Sequence, residues 1–70
     1  MNYEIVYQRI GRMVGKRFKG GPKADARFTE PFTIRNVAPL TVLLENRHEV
    51  YVVSRSRLAS MIVNKDLVED

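Results

Sequence analysis

Seven of the twelve Lys and Arg residues fall in one early stretch: Arg9, Arg12, Lys16, Arg17, Lys19, Lys23 and Arg27. A single acid, Asp25, interrupts them. Cations at that density suit one kind of chemistry, the neutralisation of a polyanion with release of its condensed counterions. Two rings sit among them, in Arg17-Phe18-Lys19 and Arg27-Phe28, where an aromatic face could stack on a base or sugar. The competing reading makes each ring part of the core and the charge a solvated loop kept for solubility. Arg35, Arg55 and Arg57 are further candidate phosphate contacts. The last six residues reverse the balance, with three acids against one base. The rest of the chain carries eleven bases and five acids, so the net +4 of the whole understates the basic part.

Catalytic groupings are sparse. There is one histidine, His48, and no cysteine, which excludes a disulfide, a Cys-based zinc site and a multi-His metal site. Carboxylates for acid–base or two-metal work would have to come from Glu4, Asp25, Glu30, Glu45 and Glu49. Of these, Glu45 and Glu49 flank an expected turn at Arg47. No G-x-x-x-x-G-K-[ST] phosphate loop occurs. The expectation is a binding module with no catalytic residues, no metal and no cofactor. No apolar run approaches the roughly 18 residues of a membrane span. The N-terminus lacks the apolar region of a secretory signal. Both point to an intracellular protein with no membrane partner.

The elements that must position these cations are read from punctuation and periodicity. Seventy residues make one small domain. Tyr3 to Ile10 is β-branched and aromatic, which predicts a strand. A rival helix is supported by the spacing of Tyr3, Val6, Tyr7, Ile10, Met13, Val14 and Phe18. Gly11 to Ala26 reads as a long basic loop, pinned to the body by Met13-Val14 and Phe18. Phe32 to Val37, Leu40 to Glu45 and Glu49 to Val53 read as strands, separated by Ala38-Pro39 and Asn46-Arg47-His48. Ser54 to Arg57 reads as a single helical turn, Ser60 to Asn64 as a fifth strand, and residues 65–70 as an acidic, frayed tail. Residues 1–64 would then be an all-β domain, a five-stranded small barrel with a long basic first loop. Its expected core is Val6, Phe32, Ile34, Val42, Leu44, Val50, Val52, Leu58 and Ile62.

The order R-F-T-E-P-F-T-I, then V-A-P-L-T-V-L-L, then V-Y-V-V-S-R-S-R-L resembles the C-terminal domain of retroviral and LTR-retrotransposon integrases, most closely those of gypsy-like elements. In that family a G-D-x-V-y strand leads into a variable basic loop. A K-L-x-P-R-F-x-G-P-F/Y segment and a T-V-x-L strand pair follow, and V-x-V-S-R-L closes the domain. Glu4 to Tyr7 would stand for the first strand. Lys23, Arg27, Phe28, Pro31 and Phe32 match the middle segment, and Thr41-Val42 and Ser56-Arg57-Leu58 the later ones. Glu30 stands where the family has glycine, Ala26 where it has proline, Arg55 where it has an apolar residue, and Ala59-Ser60 where Lys-Pro is common.

The resemblance implies an SH3-like barrel that binds element-end or target DNA without doing chemistry. It also implies contacts with copies of itself, with other integrase domains and with a chromatin protein, and a place in the nucleus or a virus-like particle. A second reading keeps the barrel but makes it a protein-interaction module, using Met13, Val14, Met61 and the β-rich Glu49–Val53 run. A third makes it a small viral or bacterial regulator with a similar barrel.

Overall fold

Three strands hold the centre of the domain, and each is bounded by the turn chemistry its sequence announces. In the computed structural model, which describes residues 3–21 and 25–70, these are β2 (Phe32–Val37), β3 (Thr41–Glu45) and β4 (Val50–Ser54). The β2–β3 turn closes through Ala38 N–H to the Thr41 carbonyl at 2.8 Å, with Pro39 inside it. At the β3–β4 turn the Asn46 Oδ1 accepts from the amides of His48 (2.8 Å) and Glu49 (2.9 Å). An Asn side chain standing in for backbone in this way is what makes it a turn residue. Two further strands, β1 (Arg17–Gly20) and β5 (Leu67–Glu69), complete one antiparallel sheet in the order β4-β3-β2-β1-β5. The sheet is not closed.

Two expected strands are helices, which corrects the all-β reading. Residues Tyr3–Ile10 form α1, so the segment matched to the family's first strand is helical. The helix forms because the i, i+4 pair Val6 and Ile10 is fully buried, and tertiary burial outweighs the strand preference of β-branched residues. Three successive i→i−3 bonds, ending with Met13 N–H to the Ile10 carbonyl at 3.0 Å, then tighten and end it. Residues Arg55–Val63 form α2 in place of one turn and a strand. Ser54 caps its start, its Oγ accepting from the Arg57 amide at 3.1 Å. Lys65 takes φ 60° at its end, with Lys65 N–H on the Ile62 carbonyl and Asp66 N–H on that of Met61. That is a Schellman closure with lysine where glycine is usual.

The expected loop and tail also change character. The middle of the basic segment is β1, and the acidic end, read as frayed, is β5 paired along it. Their junction depends on Gly20, at φ 99°, where a Cβ would run into the Asp66 carbonyl oxygen. No L side chain fits there without moving the β1–β5 pair apart. Neither strand carries the apolar alternation that marks a strand in sequence.

Val6, Phe32, Ile34, Val42, Leu44 and Leu58 are buried, as expected, and Met13 and Phe18 anchor the segment after α1. Val50 and Val52 are not buried; Tyr51 and Val53 point inward instead. In a run as uniformly β-forming as Val50–Val53 the choice of inward face is not marked by polarity, and a shift of one residue inverts it. Ile62 packs only partly against the core. Met61, expected on the surface, is buried with Leu58 and Ala59 on the inward side of α2.

Candidate nucleic-acid interface

The folded chain divides nine of the ten sequence-predicted cations into distinct environments. Arg9, Arg12 and Lys16 gather at the C-terminal end of α1. Arg9 and Arg12 line a shallow depression with Ile5 and Gln8, and all three line a second beside it with Met13. Arg12 makes no ion pair with a described residue. Arg17 and Lys19 continue the surface along the exposed side of β1.

That surface is held by the chain's own acidic end. Arg17 Nε lies 2.8 Å from Asp70, Lys19 Nζ 3.9 Å from the same carboxylate, and Lys16 Nζ 3.7 Å from Glu69. The three cationic side chains are 50–58% exposed, so each pair is worth at most about 1 kcal/mol and can be exchanged for another anion. The segregation of basic loop and acidic tail in the sequence is therefore a strand pairing in the fold.

Arg27 and Arg57 converge on Asp25. Its carboxylate accepts from the Arg27 amide (3.1 Å), Nε (3.1 Å) and Nη2 (2.9 Å), and from Arg57 Nη2 (3.2 Å). The Arg27 hydrogen bonds hold the Asp25 pKa down at about 2, against 3.8 ordinarily. A depressed carboxylate stabilises the fold fully above about pH 4 and loses that contribution as pH falls through about 2. The melting-temperature gap between wild type and Asp25→Asn should accordingly be open at about pH 6 and closed below about pH 2. A gap independent of pH would exclude the clamp. Tyr51 lies under the Arg27 guanidinium (5.3 Å to the ring centroid) and donates its hydroxyl to the Arg27 carbonyl at 3.2 Å. Burial raises its pKa to about 12, so its contribution persists below pH 10 and fades as pH climbs towards 12.

Arg55 is turned into the structure. Its Nε donates to the Tyr7 carbonyl (3.1 Å), Nη1 to the Ala38 carbonyl (3.2 Å), and its guanidinium lies 4.7 Å over the Tyr7 ring. Arg35 sits at the bulge of β2, with Nε 3.6 Å from Glu45. Lys23 lies outside the described residues. The two rings expected beside the cations face the core: Phe18 and Phe28 are 7% and 3% exposed, which leaves neither open to a base.

Sequence reasoning passed over Arg47. Its Nη2 reaches Glu30 at 3.2 Å, and the His48 Nε2 lies 3.8 Å from the same carboxylate. With Arg17, Glu30, Thr33 and Glu45 it lines an open depression of about 480 Å³ in which both signs of charge meet. Only the non-local approach of Glu30 to the β3–β4 turn creates it, and no local pattern signals that.

Comparison with protein-family models, with curated proteins and with solved structures finds no match for this chain.

Proposed function

We propose that this domain is a non-catalytic DNA-binding module of the kind the integrase C-terminal domains exemplify, contacting phosphates through Arg9, Arg12, Lys16, Arg17 and Lys19. The observation that carries the reading is the gathering of the first three at one end of α1, continuous with the other two on β1. Such contacts position a duplex without reading its bases, so binding is weakly sequence-specific. The finer fold assignment, an SH3-like barrel, is supported by the return of β5 to the side of β1, which brings the ends of the sheet's connectivity together. Glu30 occupies the family's glycine position and is engaged with Arg47, so the approach of DNA at that segment differs from the family's pattern. In an integrase the role would be to help assemble the complex on element ends or target DNA, with any catalytic core supplied elsewhere.

Titration of a short duplex at two salt concentrations tests this. Arg9→Ala/Arg12→Ala/Lys16→Ala should flatten the log–log salt slope by roughly 2.7, at about 0.9 per lost phosphate contact. Glu69→Gln/Asp70→Asn should tighten binding by about 3–10-fold at low salt, because three weak surface pairs no longer compete with phosphate. No binding at low salt by either wild type or the acid-neutralised variant would end the proposal.

A protein-interaction reading keeps one specific observation in its favour. Of the apolar residues that reading used, Met13 and Met61 are buried, but Val14 is 55% exposed, and Val50 and Val52, expected in the core, are 54% exposed each.

A further inference from the structure

The outward side of α1 carries more than charge. With Val6 and Ile10 turned to the core, Ile5, Gln8, Arg9 and Arg12 recur at i, i+3, i+4 and i+7, the spacing of one helical stripe. The tightened turns after Ile10 keep Arg12 on that stripe, since all four residues line one depression of about 230 Å³. Its chemistry is mixed: one aliphatic wall, one carboxamide and two guanidiniums. Ile5 is 55% exposed in a helix that buries its other aliphatic residues. The Gln8 carboxamide makes no hydrogen bond to a described residue, and Arg12 makes no ion pair with one. The second depression beside it, of about 330 Å³, shares Arg9 and Arg12 but is bounded by Met13 and Lys16. The two hollows therefore suit different groups. An ammonium and two guanidiniums suit a phosphate, which only accepts hydrogen bonds. An aliphatic wall and a carboxamide oxygen offer a phosphate nothing, and suit the face and edge of a base.

We propose that this pair of hollows holds one unpaired nucleotide, its base beside Ile5 and Gln8 and its phosphate beside Lys16. The inference rests on the phosphate-binding reading above and adds a single base contact to it. A base within a duplex keeps its faces stacked and shows only its edges, so it cannot lie against Ile5. An unpaired base can be splayed out, laid on a guanidinium plane and hydrogen-bonded along its edge. Arg9 and Arg12, common to both hollows, can meet the base with their flat faces while their N–H edges reach the phosphate. The Gln8 carboxamide supplies both a donor and an acceptor for the base edge. The first hollow lies below the roughly 300 Å³ at which sites for larger ligands begin, which suits one base. Neither Phe18 nor Phe28 is open to stack a run of bases, so the site takes a single nucleotide and not a long single strand. A DNA end with unpaired nucleotides is therefore preferred to a blunt one.

Fluorescence anisotropy of the intact chain with three DNA probes tests it: a blunt duplex, the same duplex with a two-nucleotide single-stranded overhang, and a blunt duplex lengthened to the same number of phosphates. Wild type should bind the overhang probe about fivefold more tightly than either blunt one, the equivalent of about one net hydrogen bond. Gln8→Ala and Ile5→Ser change no charge and stand at exposed positions. Each should cut the preference to below about twofold, with blunt-duplex affinity and the salt slope as in wild type. Val68→Ser, on β5, should change none of these. Circular dichroism of each variant confirms that it folds. Equal binding of overhang and blunt probes by wild type, or a preference kept by both variants, would overturn the proposal and leave the phosphate reading standing. Equal weakening of all three probes by Gln8→Ala would also overturn it, in favour of base reading within paired DNA. Absence of binding to every probe at low salt, by wild type and by Glu69→Gln/Asp70→Asn alike, would remove the phosphate reading and this inference with it.

Discussion

Phe32→Ala is expected to remove about 3–5 kcal/mol of folding stability, the usual cost of truncating a buried aromatic. A domain of this length holds only roughly 4–10 kcal/mol in all. The variant should therefore be partly or wholly unfolded at room temperature. Phe32 is 1% exposed and joins four parts of the fold. Its ring lies 6.2 Å from Phe18 of β1 and 5.6 Å, edge-on, from Phe28 of the short 3-10 turn Ala26–Phe28. Phe28 in turn meets Tyr51 of β4 edge-on at 6.0 Å. Edge-to-face pairs add about 0.5–1.5 kcal/mol beyond area burial, so the cavity disconnects rings as well as exposing them. Urea titration followed by circular dichroism measures the loss. A cost below about 1 kcal/mol would mean that the ring cluster is not the centre of the core.

Arg55→Ala is expected to cost about 2–3 kcal/mol, from two charge-assisted hydrogen bonds and a cation–π contact. The residue fastens α1, through the Tyr7 carbonyl and ring, to the β2–β3 turn, through the Ala38 carbonyl. Tyr7 reinforces the same junction by donating its hydroxyl to the Pro39 carbonyl at 2.8 Å. Arg55→Lys should recover less than half of the loss, because one ammonium cannot reach both carbonyls and match the planar stacking on Tyr7. Equal melting temperatures for Arg55→Lys and wild type would show that only the charge matters. Since the guanidinium is already engaged inside the fold, neither variant should change the salt slope of DNA binding by as much as one phosphate contact.

Much of the centre of the fold is legible in the chain. The strands β2, β3 and β4 are bounded by Pro39 and Asn46, residues whose backbone effects act within a few positions. The inward face of β2 follows from Phe32 and Ile34 alternating with Thr33 and Arg35. In β4 that guide is missing, and the inward face falls to Tyr51, whose hydroxyl can reach the Arg27 carbonyl. The helix at Ser60–Val63 is likewise hidden under β-branched residues, and emerges because Leu58, Ala59 and Met61 share a buried side.

The candidate site is half legible in the same sense. The density of cations from Arg9 to Arg27 is a property of the chain itself, and so is the acidity of its last residues. What becomes of each cation is not. Arg17 and Asp70 are far apart in sequence and 2.8 Å apart in space, and Arg57 reaches Asp25 from 32 positions along the chain.

By itself, then, the sequence determined the three central strands, the segregation of charge, and a core that must hold without cysteine. These follow from local backbone preference and composition. Only the tertiary structure decided that the first and last expected strands would be helices, and that the basic segment would pair with the acidic end. It also decided that Arg55 would serve the fold while Arg9, Arg12 and Lys16 stand together at its surface. Burial, strand pairing and ion pairing act between residues distant in the chain, and their outcome depends on which surfaces the folded chain brings into contact.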